Sequence, residues 1–202
     1  MESKLLLPAF YLPPISYFHT IKEHALPLLV EKHENYPKQT YRTRARIATA
    51  NGVLELFVPV LHGRKEHGPI KDTRINYDHD WQRLHWLSLQ AAYRSSAYFE
   101  YYEDDFVKFY NQKHNFLLDF NMEQLELFLK CFKLKRTLEF TGSYYTADDV
   151  IDLRNSVHPK KGNAWPDQKP YYQVFEEKQG FIPDLSAVDL LFNQGPQSGS
   201  YL

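Results

Sequence analysis

Alternating apolar and polar residues first mark out a pair of strands. Over residues 36–46, YPKQTYRTRAR, Thr and Tyr recur without glycine. Successive side chains of a strand point to opposite faces. That parity puts Lys38, Thr40, Arg42, Arg44 and Arg46 on one face and Gln39, Tyr41, Thr43, Ala45 and Ile47 on the other. Asn51-Gly52 follows, a dipeptide that accepts the positive φ angles of a tight hairpin turn. Residues 53–60, VLELFVPV, supply the second strand. The predicted hairpin has an apolar back and a row of cations in front.

Upstream, residues 4–10 read as a first strand, ended by the turn Tyr11-Leu12-Pro13-Pro14. Proline at a first helical position has its φ preset. Ile15, Phe18 and Ile21 then recur at helical spacing to near His24. Residues 28–31 are a second short strand, so the segment reads as a βαβ unit if its strands are parallel. Backbone N–H groups at that helix start could bind an anion, although no Gly-rich fingerprint accompanies them.

Downstream, residues 70–76 alternate weakly as a further strand. Asp80 is a fair N-cap for a helix over 81–93, with Trp81, Leu84, Leu87 and Ala91 as its apolar stripe and His85 on the flank. Phe99, Tyr102, Phe106, Phe109 and Tyr110 mark a second helix. Asn121 with Gln124 resembles a capping box opening a third, whose buried side is Leu125, Phe128, Leu129 and Phe132. Residues 137–141 read as a strand, and 146–178, rich in breakers, as a long loop. A last helix has Ser186 and Asp189 as a capping pair, with Gly195 and Pro196 at its end. The expected fold is one mixed α/β domain over 1–202. It has an N-terminal βαβ-like unit, a basic hairpin, a helical middle and a sheet of five or six strands.

Composition changes this picture in three ways. The 202 residues carry 24 Lys+Arg and 25 Asp+Glu, a net charge of -1, so nothing draws the whole chain to nucleic acid or an acidic membrane. Nucleic-acid binding, which interleaved aromatics and cations would suit, therefore lacks both charge and a motif. The single Cys131 excludes an internal disulfide and a cysteine-based metal cluster, and the nine His show no HExxH pair, so no metal site is expected. No stretch approaches the roughly 20 apolar residues of a membrane helix, and residues 1–10 lack the apolar region of a signal peptide. A cytoplasmic protein without a membrane partner is the expectation.

The candidate chemistry centres on the cations. Arg forks suit bidentate binding of phosphate or carboxylate. The same row also reads as a solvated face neutralised by nearby Glu and Asp, and both readings stand. Under the first, Lys38, Arg42 and Arg44 bind an anion beside Tyr11. Arg154, His158, Lys160 and Lys161 from the long loop then approach the same cavity. His85 and His33 are the candidate proton carriers, although His85 also reads as a hydrogen-bonded core residue. A polar loop holding His62, Arg64, Lys65 and His67 could close on a ligand, or be simply exposed.

Four stretches, in order, match a known pattern. They are Pro8-x-Phe10-Tyr11-x-Pro13-Pro14 with Tyr17-Phe18; residues 34–44 with the Gly52 turn and Val58-Pro59-Val60; 81–93 followed by Phe99; and the tail 180–202. Together they resemble the WbqC-like protein family of bacteria, the tail in its Bacteroidetes form. That family takes its name from a member encoded among O-antigen genes. The resemblance, with the cations, implies a transferase-type enzyme of surface polysaccharide (O-antigen-like glycan) biosynthesis. Its partner would be a small anionic molecule, an activated donor such as a nucleotide-sugar. The alternative is a non-catalytic protein that binds a nucleotide-sugar or acidic glycan. The resemblance names no cofactor and carries over no catalytic set. A weaker likeness to HUP-type nucleotidyltransferases covers the first strand, turn and helix. The turn offers Tyr11, Pro13 and Pro14 with no HxGH, which argues against adenylyl transfer.

Overall fold

The computed structural model describes residues 4–61, 68–146, 150–161 and 165–202. Strand β1 (Lys4–Leu7), helix α1 (Ile15–Glu23) and strand β2 (Leu28–Val30) form the expected βαβ unit, with β1 and β2 parallel and Leu5 opposite Leu28. All three residues of β2 and the last three of β1 are buried. Continuous apolar runs of this kind are typical of parallel strands covered on both faces. The hairpin forms from β3 (Arg44–Thr49) and β4 (Gly52–Phe57), and Gly52 takes the positive φ its turn requires. It remains a separate two-stranded sheet. The helical middle comprises α2 (Trp81–Tyr93), α3 (Phe99–Asn111) and α4 (Leu117–Cys131). Two further short strands, β5 (Leu138–Phe140) and β6 (Val150–Asp152), complete a four-stranded parallel sheet in the order β5-β2-β1-β6. After these come α5 (Glu176–Gln179) and α6 (Ala187–Gln194).

Several expectations are corrected. The six strands lie in two sheets, not one. Residues 38–43 are turn, not strand, so the parity that aligned Lys38, Thr40 and Arg42 with Arg44 does not exist. The cause is local. Pro37 supplies no amide, Gln39 has a φ of 60°, and the Thr40 hydroxyl bonds the Pro37 carbonyl and the Arg42 amide. Such side-chain bonds compete with a strand ladder. Residues 70–76 hold one 3-10 turn, Ile70–Asp72, and two isolated bridges. β6 lies inside the segment read as loop. The 62–67 loop, with His62, Arg64, Lys65 and His67, is outside the described residues.

Helices α3 and α4 bury the stripes read from the sequence, whereas α2 buries a different face. In α2 the inward stripe is Trp81, His85, Leu89 and Ala92, while Leu84 and Leu87 are exposed. Asn121 and Gln124 do not cap α4; they lie inside it, fully buried. The Asn121 side-chain amide donates to the carbonyls of Ala9 (3.0 Å) and Arg42 (2.8 Å). Gln124 accepts from the Leu12 amide at 3.1 Å. These bonds tie the segment after β1 and the turn at Arg42 to α4. Asn121→Ala would strand two buried carbonyls, and urea unfolding should show a loss of about 2 kcal/mol. A loss under about 0.5 kcal/mol would contradict that role.

Most of the aromatic surplus is core. Phe106 on α3 meets Phe128 on α4 (ring centroids 5.5 Å) and Phe192 on α6 (5.2 Å), and Phe128 meets Phe18 on α1 (5.3 Å). Ser186 caps α6 through the Val188 amide, as expected. Asp189 is not a cap; it is buried and accepts from Tyr93 and Tyr171. Gly195, with a φ of 53°, follows the end of α6 as expected, and the chain then winds on as a 3-10 segment to Tyr201. Among the described residues no helix is long and apolar enough to cross a membrane.

Candidate functional site

In a parallel sheet all strands emit their connections from the same edge, and ligands bind in crevices there. In this fold the segments leaving β2, β5 and β6 enclose a crevice of about 400 Å³. His33, Glu34, Asn35 and Pro37 follow β2, Tyr144 follows β5, and Arg154 and Asn155 follow β6.

Carboxylates and guanidiniums build its walls. Glu31 is fully buried; it accepts from the His33 amide (2.7 Å), the Thr141 hydroxyl (2.8 Å) and the Tyr145 amide (2.8 Å). It thereby joins the segments after β2 and β5. Arg42, 2% exposed, forks onto both oxygens of Glu34 at 2.6 Å. Its Nη2 also donates to the Arg154 carbonyl at 3.2 Å. Arg154 forks onto Asp152 (Nε 3.0 Å, Nη2 2.6 Å), donates from Nη1 to the Tyr145 carbonyl and lies 4.8 Å from the Tyr144 ring centroid. Burial pushes the Glu34 carboxyl above the usual carboxylate range, with the Arg42 fork opposing it. Burial also acts upward on Asp152, but the Arg154 bonds and charge outweigh it and hold that carboxyl low.

His33 is the group left with capacity. His33 lines the crevice, and its Nε2 is buried with no hydrogen-bond partner among the described residues. His158 is not among the described lining residues but lies within electrostatic reach of Arg42. Burial and then the charges of Lys161, Lys160 and Arg42 push its pKa below the ordinary value. Lys161 Nζ donates to the carbonyl of crevice-lining Asn155 at 2.7 Å, and Lys160 is exposed. The 154–161 segment thus meets Arg42 on one side of the molecule.

The other candidates are placed elsewhere or committed. Lys38 is exposed, one residue beyond the lining Pro37. Arg44 pairs with Glu55 across the hairpin at 3.2 Å. Tyr11 and His85 do not line the crevice. The Tyr11 hydroxyl lies 2.9 Å from His85 Nδ1 and 3.0 Å from the Tyr110 hydroxyl, all buried. His85 Nε2 accepts from the Phe57 amide at 3.3 Å, which assigns the ring proton to Nδ1. Burial lowers the His85 pKa to about 4, so both ring nitrogens of a neutral imidazole serve the fold. Glu31, Asp152, Tyr144 and Asn155 escaped the sequence reading. A usable signal was present: acids at the ends of short apolar runs, Leu-Leu-Val-Glu and Val-Ile-Asp.

Three comparisons bear on this geometry. The model of the WbqC-like protein family matches residues 9–161, which include every crevice-lining residue. The chain is 26% identical over 228 aligned positions to the uncharacterized protein Rv1507c of Mycobacterium tuberculosis (strain ATCC 25618 / H37Rv). That alignment covers 100% of this chain and 98% of the relative. No solved structure matches.

Proposed function

Since the chain belongs to the WbqC-like protein family, we propose that it is a single-domain transferase-type enzyme that binds an activated, anionic donor in this crevice. A nucleotide-sugar used in surface polysaccharide assembly is the donor we favour, and that setting rests on the family resemblance. The observation that carries the enzymatic reading is the unpartnered Nε2 of His33 at the crevice wall. An imidazole nitrogen without a partner can take a proton from an acceptor hydroxyl that reaches it. Arg42 and Arg154 already bond Glu34, Asp152 and backbone, so they position the walls. Lys38, Lys160 and Lys161 supply the charge that meets the donor's phosphates, with His158 beside them.

A second reading is favoured by a specific observation. Both guanidiniums are paired, and no Ser, Thr or Cys is among the described lining residues. A protein that binds the same ligand without turnover needs neither. Calorimetry with a panel of nucleotide-sugars, followed by turnover assays with sugar acceptors, separates the two. His33→Gln should keep binding within about threefold and reduce turnover by ~10²–10⁴. Lys160→Glu with Lys161→Glu should weaken binding about tenfold or more, in a salt-dependent way. Unaltered binding in the double variant rejects the crevice. Full turnover by His33→Gln rejects the catalytic role, and binding by the wild type without any turnover favours the accessory protein.

A further inference from the structure

The amino edge of the parallel sheet, opposite the crevice, carries a second site. Helix α4 ends there in a paired closure: the Leu134 amide donates to the Leu129 carbonyl at 2.8 Å and the Lys133 amide to the Lys130 carbonyl at 3.1 Å. This is a Schellman motif, which needs a positive φ at its turning residue, usually glycine, and brings the next apolar side chain back onto the helix. Here the turning residue is Lys133, with a φ of 58°. Leu134 and Leu129, with Leu138 at the start of β5, floor a groove of about 390 Å³. Its rim is Lys130, Lys133, Lys135 and Arg136, with Glu126 the single acid.

None of the four cations makes an ion pair among the described residues. Among those residues Arg136 reaches only the Lys135 carbonyl, and its buried Nε has no partner. A neighbouring depression shares Lys135 and Arg136 and runs on to Leu26 and Pro27; its acid, Glu139, is held by Lys4 at 2.7 Å. Cations at a helix C-terminus complement its dipole, but that effect asks for neither an apolar groove nor a lysine at a glycine position. We propose that this groove binds a single-chain amphiphile with an anionic head, its alkyl chain on the leucine floor and its phosphate or carboxylate on Arg136 and the lysines. Leu129 is buried and Leu134 and Leu138 are half-buried, so no side chain of the floor protrudes as bilayer insertion requires. A chain entering the protein fits the recessed floor better.

The test is titration calorimetry with octyl, decyl and dodecyl phosphate, each kept below its micelle-forming concentration. Affinity should rise with chain length, by roughly fourfold for each methylene enclosed. Dodecyltrimethylammonium should bind at least tenfold more weakly than dodecyl phosphate, and inorganic phosphate weaker still. Lys135→Glu should cost about tenfold. Lys133→Gly, which suits the positive φ, should cost severalfold without lowering the melting temperature, so a folding defect cannot mimic the result. His33→Gln in the crevice should leave this binding unchanged. A flat chain-length series, equal binding of the cationic surfactant, or unaltered affinity in both groove variants would overturn the proposal. Binding to anionic phospholipid vesicles without binding to the monomeric phosphates would overturn it in favour of a membrane contact.

Discussion

Arg42→Ala is expected to lower the free energy of unfolding by about 3–5 kcal/mol at neutral pH. Arg42 and Glu34 are both buried, and the guanidinium fork is the only charge partner in direct contact with that carboxylate among the described residues. Truncation leaves Glu34 charged in a site that already disfavours its ionised form. The loss should shrink in acid, where Glu34 protonates and no longer needs a counter-charge. Replacing both partners, Arg42→Met with Glu34→Leu, should recover much of it, because a buried pair exchanged for packed apolar groups is often neutral or better. Arg42→Lys keeps the charge but loses the fork and should fall between. Urea unfolding at pH 7 and pH 5 measures all of these. A single variant within 1 kcal/mol of wild type, or a double variant as unstable as Arg42→Ala, would show that the pair does not hold this turn.

The same residue shows where sequence reasoning stopped. Element types were legible wherever one signal ruled a stretch. The parallel strands are continuous apolar runs, and α3 has a clean aromatic stripe. Reading failed where a polar residue sits inside. His85 and Gln82 lie on the buried face of α2, so the exposed Leu84 and Leu87 carried the apolar pattern instead. Asn121, Gln124 and Asp189 have the side chains of caps and serve as internal struts, because each meets a donor or acceptor over 90 residues away in sequence. No local pattern encodes such partners. The candidate site was half legible for the same reason. Arg154 and His158 were expected to approach the cavity of Arg42, but the reason they share a side, three strands leaving one sheet edge, was not part of that reading. Glu34, Glu31 and Asp152, which neutralise the guanidiniums, were invisible as partners.

Asp189 and His85 should control how stability varies with pH, in opposite directions. Asp189 is fully buried, and burial raises its pKa from 3.8 to about 6, against the bonds donated by Tyr171, Tyr93 and Gln173. Between those values the folded state holds a proton that the unfolded chain has lost. Stability from this group is therefore full below pH ~4 and declines as pH rises through 6. His85 does the reverse. Burial lowers its pKa from 6.5 to about 4, so in that window the unfolded chain binds the proton. Its contribution is full above pH 6.5 and is lost as pH falls toward 4. Each shift exceeds two units, on the order of 3 kcal/mol at 1.36 kcal/mol per unit. The two nearly cancel between pH 4 and 6, and the wild-type contribution of this pair should be flat there. Single replacements should unmask the partner. Asp189→Asn cannot ionise, so stability should climb with pH across the window, driven by His85. His85→Gln cannot titrate, so stability should fall with pH, driven by Asp189. Each variant also disturbs buried hydrogen bonds, which lowers its stability by an amount that adds to the titration term and does not change its slope. The test is therefore the sign of the slope relative to wild type, read from urea unfolding at half-unit steps of pH. Parallel curves for wild type and both variants would mean that neither group titrates abnormally in the folded state.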